Sequence, residues 1–237
     1  MREAGDKSDL LLPGGPGWVQ LCAALKNLPP TAWIATLACV LFLGSAVAEE
    51  PSPQQVVDAA ISEFQAGKYD QALEKLQQVE KTQPDSAFVQ NLIGAVYTKK
   101  KDFTKAKAAF EKALDIDYSF FPAQFNQGEV LFLQKQYPQA LDHFERMMRS
   151  APDNELLQFK VVLCLLQTGQ KGEAEKLAKR MKYPGQEPAW YFSQAALAIN
   201  NKDSRKASEN LAAAKELFRD KTSIYTETFQ DLGWQTK

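Results

Sequence analysis

A fixed distance between alanines constrains this chain more than any other feature. Ala72, Ala106, Ala140, Ala174 and Ala207 follow one another at intervals of 34, 34, 34 and 33 residues. Their surroundings recur in register. Three residues before the alanine stands an aromatic, Tyr69, Phe103 or Tyr137, and four residues after it Leu76, Phe110, Phe144 or Leu211, with Ala178 in the fourth copy. Seven residues after it come Val79, Ala113, Met147, Met181 and Ala214. Apolar residues at i, i+4 and i+7 form the stripe of an amphipathic helix. Twelve residues before the alanine the side chain is small or short: Ala60, Gly94, Gly128, Val162 or Ala195. Pro84 and Pro152 close the first and third copies, at points where a helix cannot continue. A fixed period of this kind, carried by helical stripes, marks an all-α chain of stacked repeats.

The small and large residues have a physical reason to alternate. Gly or Ala in the first helix and Ala in the second are expected where the two axes cross, so that the backbones approach. The aromatic and the large aliphatic fill the space beside the crossing and meet the next pair. One pair alone cannot bury its apolar stripe, so neighbours stack into a continuous core.

The pattern resembles the tetratricopeptide repeat (TPR) family, whose unit of 34 residues forms two antiparallel helices. The residues carrying the resemblance are Ala72, Gly94, Tyr97, Ala106, Phe110, Gly128, Ala140, Phe144, Ala174 and Ala207, and the second and third units match best. The fourth and fifth depart, with Lys171 and Ser204 in place of the aromatic. The resemblance implies a right-handed α-solenoid of about five helix pairs, in units of about 53–86, 87–120, 121–154, 155–187 and 188–221. Beyond these, Tyr225, Phe229 and Leu232 share one helix face. Residues 222–237 are therefore expected to form a capping helix and tail, the helix covering the last unit's open apolar face.

The first 48 residues read as an address. Residues 32–48, "AWIATLACVLFLGSAVA", carry no charge and end in Ala46-Val47-Ala48 before two glutamates. This is the form of a secretory signal cleaved after Ala48. Charges that cancel precede the run, so this reading places the true translation start at Leu25, read as Met. Export to a bacterial periplasm is the expectation, and anchorage in the inner membrane through residues 32–48 the alternative.

Little in the composition points to chemistry. The single His143 and the three cysteines, Cys22, Cys39 and Cys164, supply no metal-ligand spacing and no nucleophile beside a base. Gly169 and Gly185 fall at helix ends rather than in a phosphate-cradling loop. A net charge of −1 with both signs interspersed offers no basic stripe for nucleic acid. The reading is a non-enzymatic protein without a cofactor, a metal, a nucleic-acid partner or a small-molecule substrate.

In the family that the pattern resembles, the first helix of each unit lines the concave face. Carried over by position, the expected partner-binding residues are Phe88, Asn91, Phe125, Phe132, Phe159, Leu163 and Phe192. Three of these phenylalanines, Phe125, Phe159 and Phe192, stand in a row at one position per unit. A trough floored by aromatics suits an amphipathic helix or an extended apolar peptide. The row has a second reading, in which it packs against neighbouring helices or lies beneath the C-terminal segment folded back. A carboxylate clamp built from Asn91, Lys99 and Asn126 is incomplete. Two functions follow: an adaptor that holds a partner's peptide or helix in the groove, or a self-associating structural component of an envelope assembly.

Overall fold

The computed structural model describes residues 51–234. The apolar run 32–48, its cleavage point, Cys22 and Cys39 lie outside the described residues. Among the described residues run eleven α-helices, one short 3-10 turn and no strand. The helices α1 (Pro53–Gln65) and α2 (Tyr69–Thr82) pack as a first pair, α3 (Ala87–Lys99) and α4 (Phe103–Ile116) as a second, and α5 (Phe121–Leu133) and α6 (Tyr137–Ser150) as a third. Then come α7 (Glu155–Gln167) with α8 (Lys171–Arg180), and α9 (Ala189–Asn200) with α10 (Ser204–Phe218). The 3-10 turn Arg219–Thr222 leads into α11 (Ser223–Asp231). Each pair packs on the next, and the ten helices form an α-solenoid.

Local chemistry sets the helix ends. Ser52 and Gln55 form a capping box at α1, and Ser86, Asp102, Asn154 and Asp203 each accept a backbone N–H of the first turn that follows. Such caps satisfy amide groups that have no partner inside the helix. Within every pair the turn carries one residue of positive φ: Gly67, Lys101, Lys135, Gly169 and Lys202. A left-handed residue after the first helix reverses the chain within a few residues.

The crossing inside each pair differs from the backbone approach that the sequence implies. Gly94 and Gly128 make room for a ring. A Cβ on Gly128 would meet Phe144 Cε1 at 2.5 Å, and one on Gly94 would meet Phe110 Cδ1 at 2.6 Å. The two residues stand sixteen apart, and the same offset joins Ala60 to Leu76 and Ala195 to Leu211. In the fourth unit the sizes are exchanged, Val162 opposite Ala178, and both are fully buried. That exchange keeps one large and one small side chain facing each other in the fourth unit. Phe110 and Phe144 are also fully buried, each burial worth roughly 1.5–3 kcal/mol.

Candidate protein-binding groove

The first helices α3, α5, α7 and α9 carry the seven residues expected to floor the trough, but they leave few of them open. Phe88 is 45% exposed. Asn91 is buried and accepts a hydrogen bond at 2.9 Å from Asn126 Nδ2, so the two amides satisfy each other across α3 and α5. Phe125 turns inward, its ring centroid 5.5 Å from that of Phe144, and Phe132 meets Tyr137 edge-on at 5.4 Å. Phe159, Leu163 and Phe192 are fully buried. The row is not an open floor. Only Phe88 of the seven presents itself to solvent.

What covers the far end of the trough is α11. Tyr225 and Phe229, four residues apart on one face, close over the phenylalanines. The ring centroid of Tyr225 lies 5.0 Å from that of Phe159 and 5.2 Å from that of Phe192, and that of Phe229 lies 6.2 and 5.3 Å from them. Tilted and edge-on pairs at these separations add to the burial of apolar area. Trp234 completes the cluster, edge-on to Phe229 at 5.1 Å. The expected terminal helix covers Phe192 of the last unit, but it lies across α9 and α7 rather than against α10, whose Leu217 stays exposed. Two features direct it there. Arg219 takes φ +40° and ψ −108°, which swings the chain away from the α10 axis, and the two phenylalanines supply an aromatic seat.

Beside the rings lies a polar network. Lys160, fully buried on α7, donates to Glu129 Oε2 at 2.7 Å and to Thr228 Oγ1 at 2.9 Å, and its ammonium sits 5.1 Å from the Phe132 ring centroid. The Thr228 hydroxyl in turn donates to the carbonyl of Ile224. A buried ammonium is tolerated only with such a set of partners. One oxygen of Glu129, Oε1, is buried with no hydrogen bond. Next to Thr228 on α11, Glu227 pairs with Lys99 of α3. Asp231 is held above the usual carboxylate range by partial burial and by Glu227, against the pull of Lys160, Lys99 and Lys101. Burial raises the Tyr225 hydroxyl as well, with Glu187 and Glu155 acting in the same direction.

The remaining reactive groups are structural. Cys164 is buried and its thiol is pushed up to about 12, which leaves no thiolate for chemistry. His143 Nε2 bonds at 2.7 Å to the carbonyl of Gln124, so the proton sits on that nitrogen. No group of histidine, cysteine or acidic residues among the described residues could hold a metal ion, and no helix among them is long and apolar enough to cross a membrane. The sequence carried one signal of the covered groove that position alone missed. Val161–Leu166 is an unbroken apolar run in the middle of α7, whereas a helix with one face in water shows a polar stripe.

Comparison with known proteins agrees with this architecture. One family model described as tetratricopeptide repeat matches residues 57–119 and 102–155, and a second of the same description matches residues 131–198. The chain belongs to the tetratricopeptide repeat family. Proteins of this family generally mediate contacts between proteins, and the fold is typically a non-catalytic scaffold. Anaphase-promoting complex subunit 3 of Schizosaccharomyces pombe is 28% identical over 113 residues, which cover 48% of this chain and 17% of that protein. The chain thus spans under a fifth of that relative's length. Among solved structures, a tetratricopeptide repeat protein from Parabacteroides merdae has a TM-score of 0.63 at 12% identity, over 92% of this chain and 86% of its own. A thermophilic TPR protein from Thermus thermophilus has a TM-score of 0.62 at 17% identity, over 76% of this chain and 99% of its own. At these identities the likeness is one of fold.

Proposed function

We propose that this TPR protein is a non-enzymatic adaptor whose concave face holds a helical segment of another protein. The observation that carries the reading is the seat under α11. The face already receives one amphipathic helix, through rings on Phe159 and Phe192 and through a hydrogen bond from Lys160. Aromatic anchors in a desolvated trough are the usual source of binding energy, with the best of them worth about 2 kcal/mol or more. The trough also continues toward the N-terminal units, where Phe88 remains open. Export to the periplasm belongs to the same reading, carried by the uncharged run 32–48 and its Ala46-Val47-Ala48 ending. An intact mass that begins at Glu49 is the expected result, and one retaining residues 32–48 points to an anchored protein.

The groove is tested by a photo-crosslinking amino acid at Phe88, compared with one at Lys107 on the exposed side of α4, in cells that make the protein. A discrete heterologous adduct from position 88, absent from position 107, is expected. Adducts of equal pattern from both positions, or from position 107 alone, place the partner elsewhere. An adduct at twice the chain's own mass supports the self-associating alternative.

A further inference from the structure

Helix α11 is a poor structural cap and a good ligand. It is nine residues long, below the length at which a helix persists alone in water, about 12–15 residues. It buries only Tyr225, Thr228 and Phe229. Its ring contacts and long-range hydrogen bonds run to α3, α7 and α9, the first helices of their pairs. The helix pair beneath forms without it, since α9 packs against α10. Its connection passes through Arg219 at φ +40°, a left-handed conformation that a residue with a side chain adopts at a cost. The features of α11 that face the wall form a short grammar. In "YTETFQD", residues 225–231, an acidic residue follows each aromatic by two positions, and the carboxylates of Glu227 and Asp231 lie toward Lys99 and Lys101.

We infer that α11 is a resident ligand of the groove, displaced when another protein presents an acidic amphipathic helix with two aromatics four residues apart. The inference rests on the groove reading above and adds to it the gate and the chemistry of the partner. Charge complementarity decides the partner's sign. Around Glu227 and Asp231 the wall offers Lys99, Lys101 and Lys160 against Glu129, with Glu155 and Glu187 lying at the Tyr225 end, so basic residues at those two positions would set cation against cation. Because α11 is tethered by a four-residue turn, it competes at an effective concentration on the order of millimolar, and an outside helix must overcome that advantage.

The test uses a fluorescein-labelled synthetic peptide of residues 221–235 as the probe helix, with binding followed by anisotropy. It is titrated with the full chain and with a Tyr225→Ala/Phe229→Ala chain, whose own helix has lost its anchors. Binding at least tenfold tighter to the double variant is expected. A peptide carrying Glu227→Lys/Asp231→Lys should bind that variant at least fivefold more weakly, and regain affinity when the chain carries Lys99→Glu. Equal affinity for both chains overturns the gate and leaves the groove reading standing. A charge-reversed peptide that binds as well as the native one overturns the acidic partner. No binding to a double variant that keeps its helical circular dichroism overturns both readings. Should the double variant lose its helicity, a chain with Glu227→Lys/Asp231→Lys takes its place, since those side chains are exposed and their reversal repels α11 from the lysines.

Discussion

The two ends of the solenoid use the same repeat and differ in what becomes of the inner wall. In the second and third units the wall is partly polar: Asn91 and Asn126 bond to each other, Phe125 and Phe132 turn away toward α6, and Phe88 faces solvent. In the fourth and fifth units the wall is apolar and sealed. Nine residues of α7 are buried against five of α5, although the two helices hold equivalent places. Two coverings make the difference: α11 lies on Phe159 and Lys160, and α7 packs directly along α9. A repeat helix packs on its partner and its neighbours and leaves one face to water, whereas α7 has that last face covered as well. The sealed end therefore owes part of its burial to a segment outside the repeat, and the open end shows what the wall is without one.

Removing one ring from each region separates the two most sharply. Phe159→Ala takes out the side chain at which Tyr225, Phe192 and Phe229 converge, and should lower unfolding free energy by about 3–5 kcal/mol. Phe88→Ala removes a ring of the same size from the open end and should change it by about 0.5 kcal/mol or less. Urea denaturation followed by circular dichroism gives both values. If Phe159→Ala costs no more than Phe88→Ala, then α11 does not seal the wall and the contrast between the ends collapses.

The repeat itself should be uniform across that divide, which a smaller effect can sharpen. Gly128→Ala drives a methyl group into Phe144, a fully buried ring, and overpacking of this kind costs about 1–3 kcal/mol. The better helix propensity of alanine returns no more than about 1 kcal/mol of it. The first and fifth units place alanine opposite leucine at the same offset, Ala60 with Leu76 and Ala195 with Leu211. Adding Phe144→Leu to Gly128→Ala should accordingly recover part of the loss. A double variant less stable than either single one would show that the small residue serves the backbone and not the ring.

The same size rule marks how much the sequence discloses. The five pairs were legible because side-chain volumes recur in register, and even the fourth unit obeys the rule once Val162 and Ala178 are seen as an exchange. The fate of the groove was not legible from register. Phe125 and Phe159 occupy equivalent positions, and nothing in that position says that one ring turns inward and the other is roofed by α11. The information lies elsewhere, in the unbroken Val161–Leu166 run and in the acidic aromatic face of residues 225–231. Each is readable only when the two segments are considered together, because burial from both sides is a long-range property.

Acid should act on the two regions with opposite sign, and this is the smallest effect expected. Burial against α5 depresses His143 below the ordinary histidine range; the bond to the Gln124 carbonyl and the Asp142 charge oppose that shift, and Arg146 adds to it. A histidine depressed in the folded state contributes stability that is present above its unfolded pKa, about 6.5, and is lost as pH falls below it. Asp231 is raised instead, so the docked α11 takes up a proton more readily than the free segment, and its docking strengthens as pH falls through that carboxylate's pKa. Thermal unfolding between pH 7.5 and 5.5 should show Tm falling for the native chain and less so for His143→Gln. Between pH 5.5 and 4, the binding of the 221–235 peptide to the opened groove should strengthen for the native peptide and stay flat for one carrying Asp231→Asn. A native peptide that fails to strengthen over that range, or an Asp231→Asn peptide that strengthens equally, would mean that Asp231 does not set the pH response of the seat.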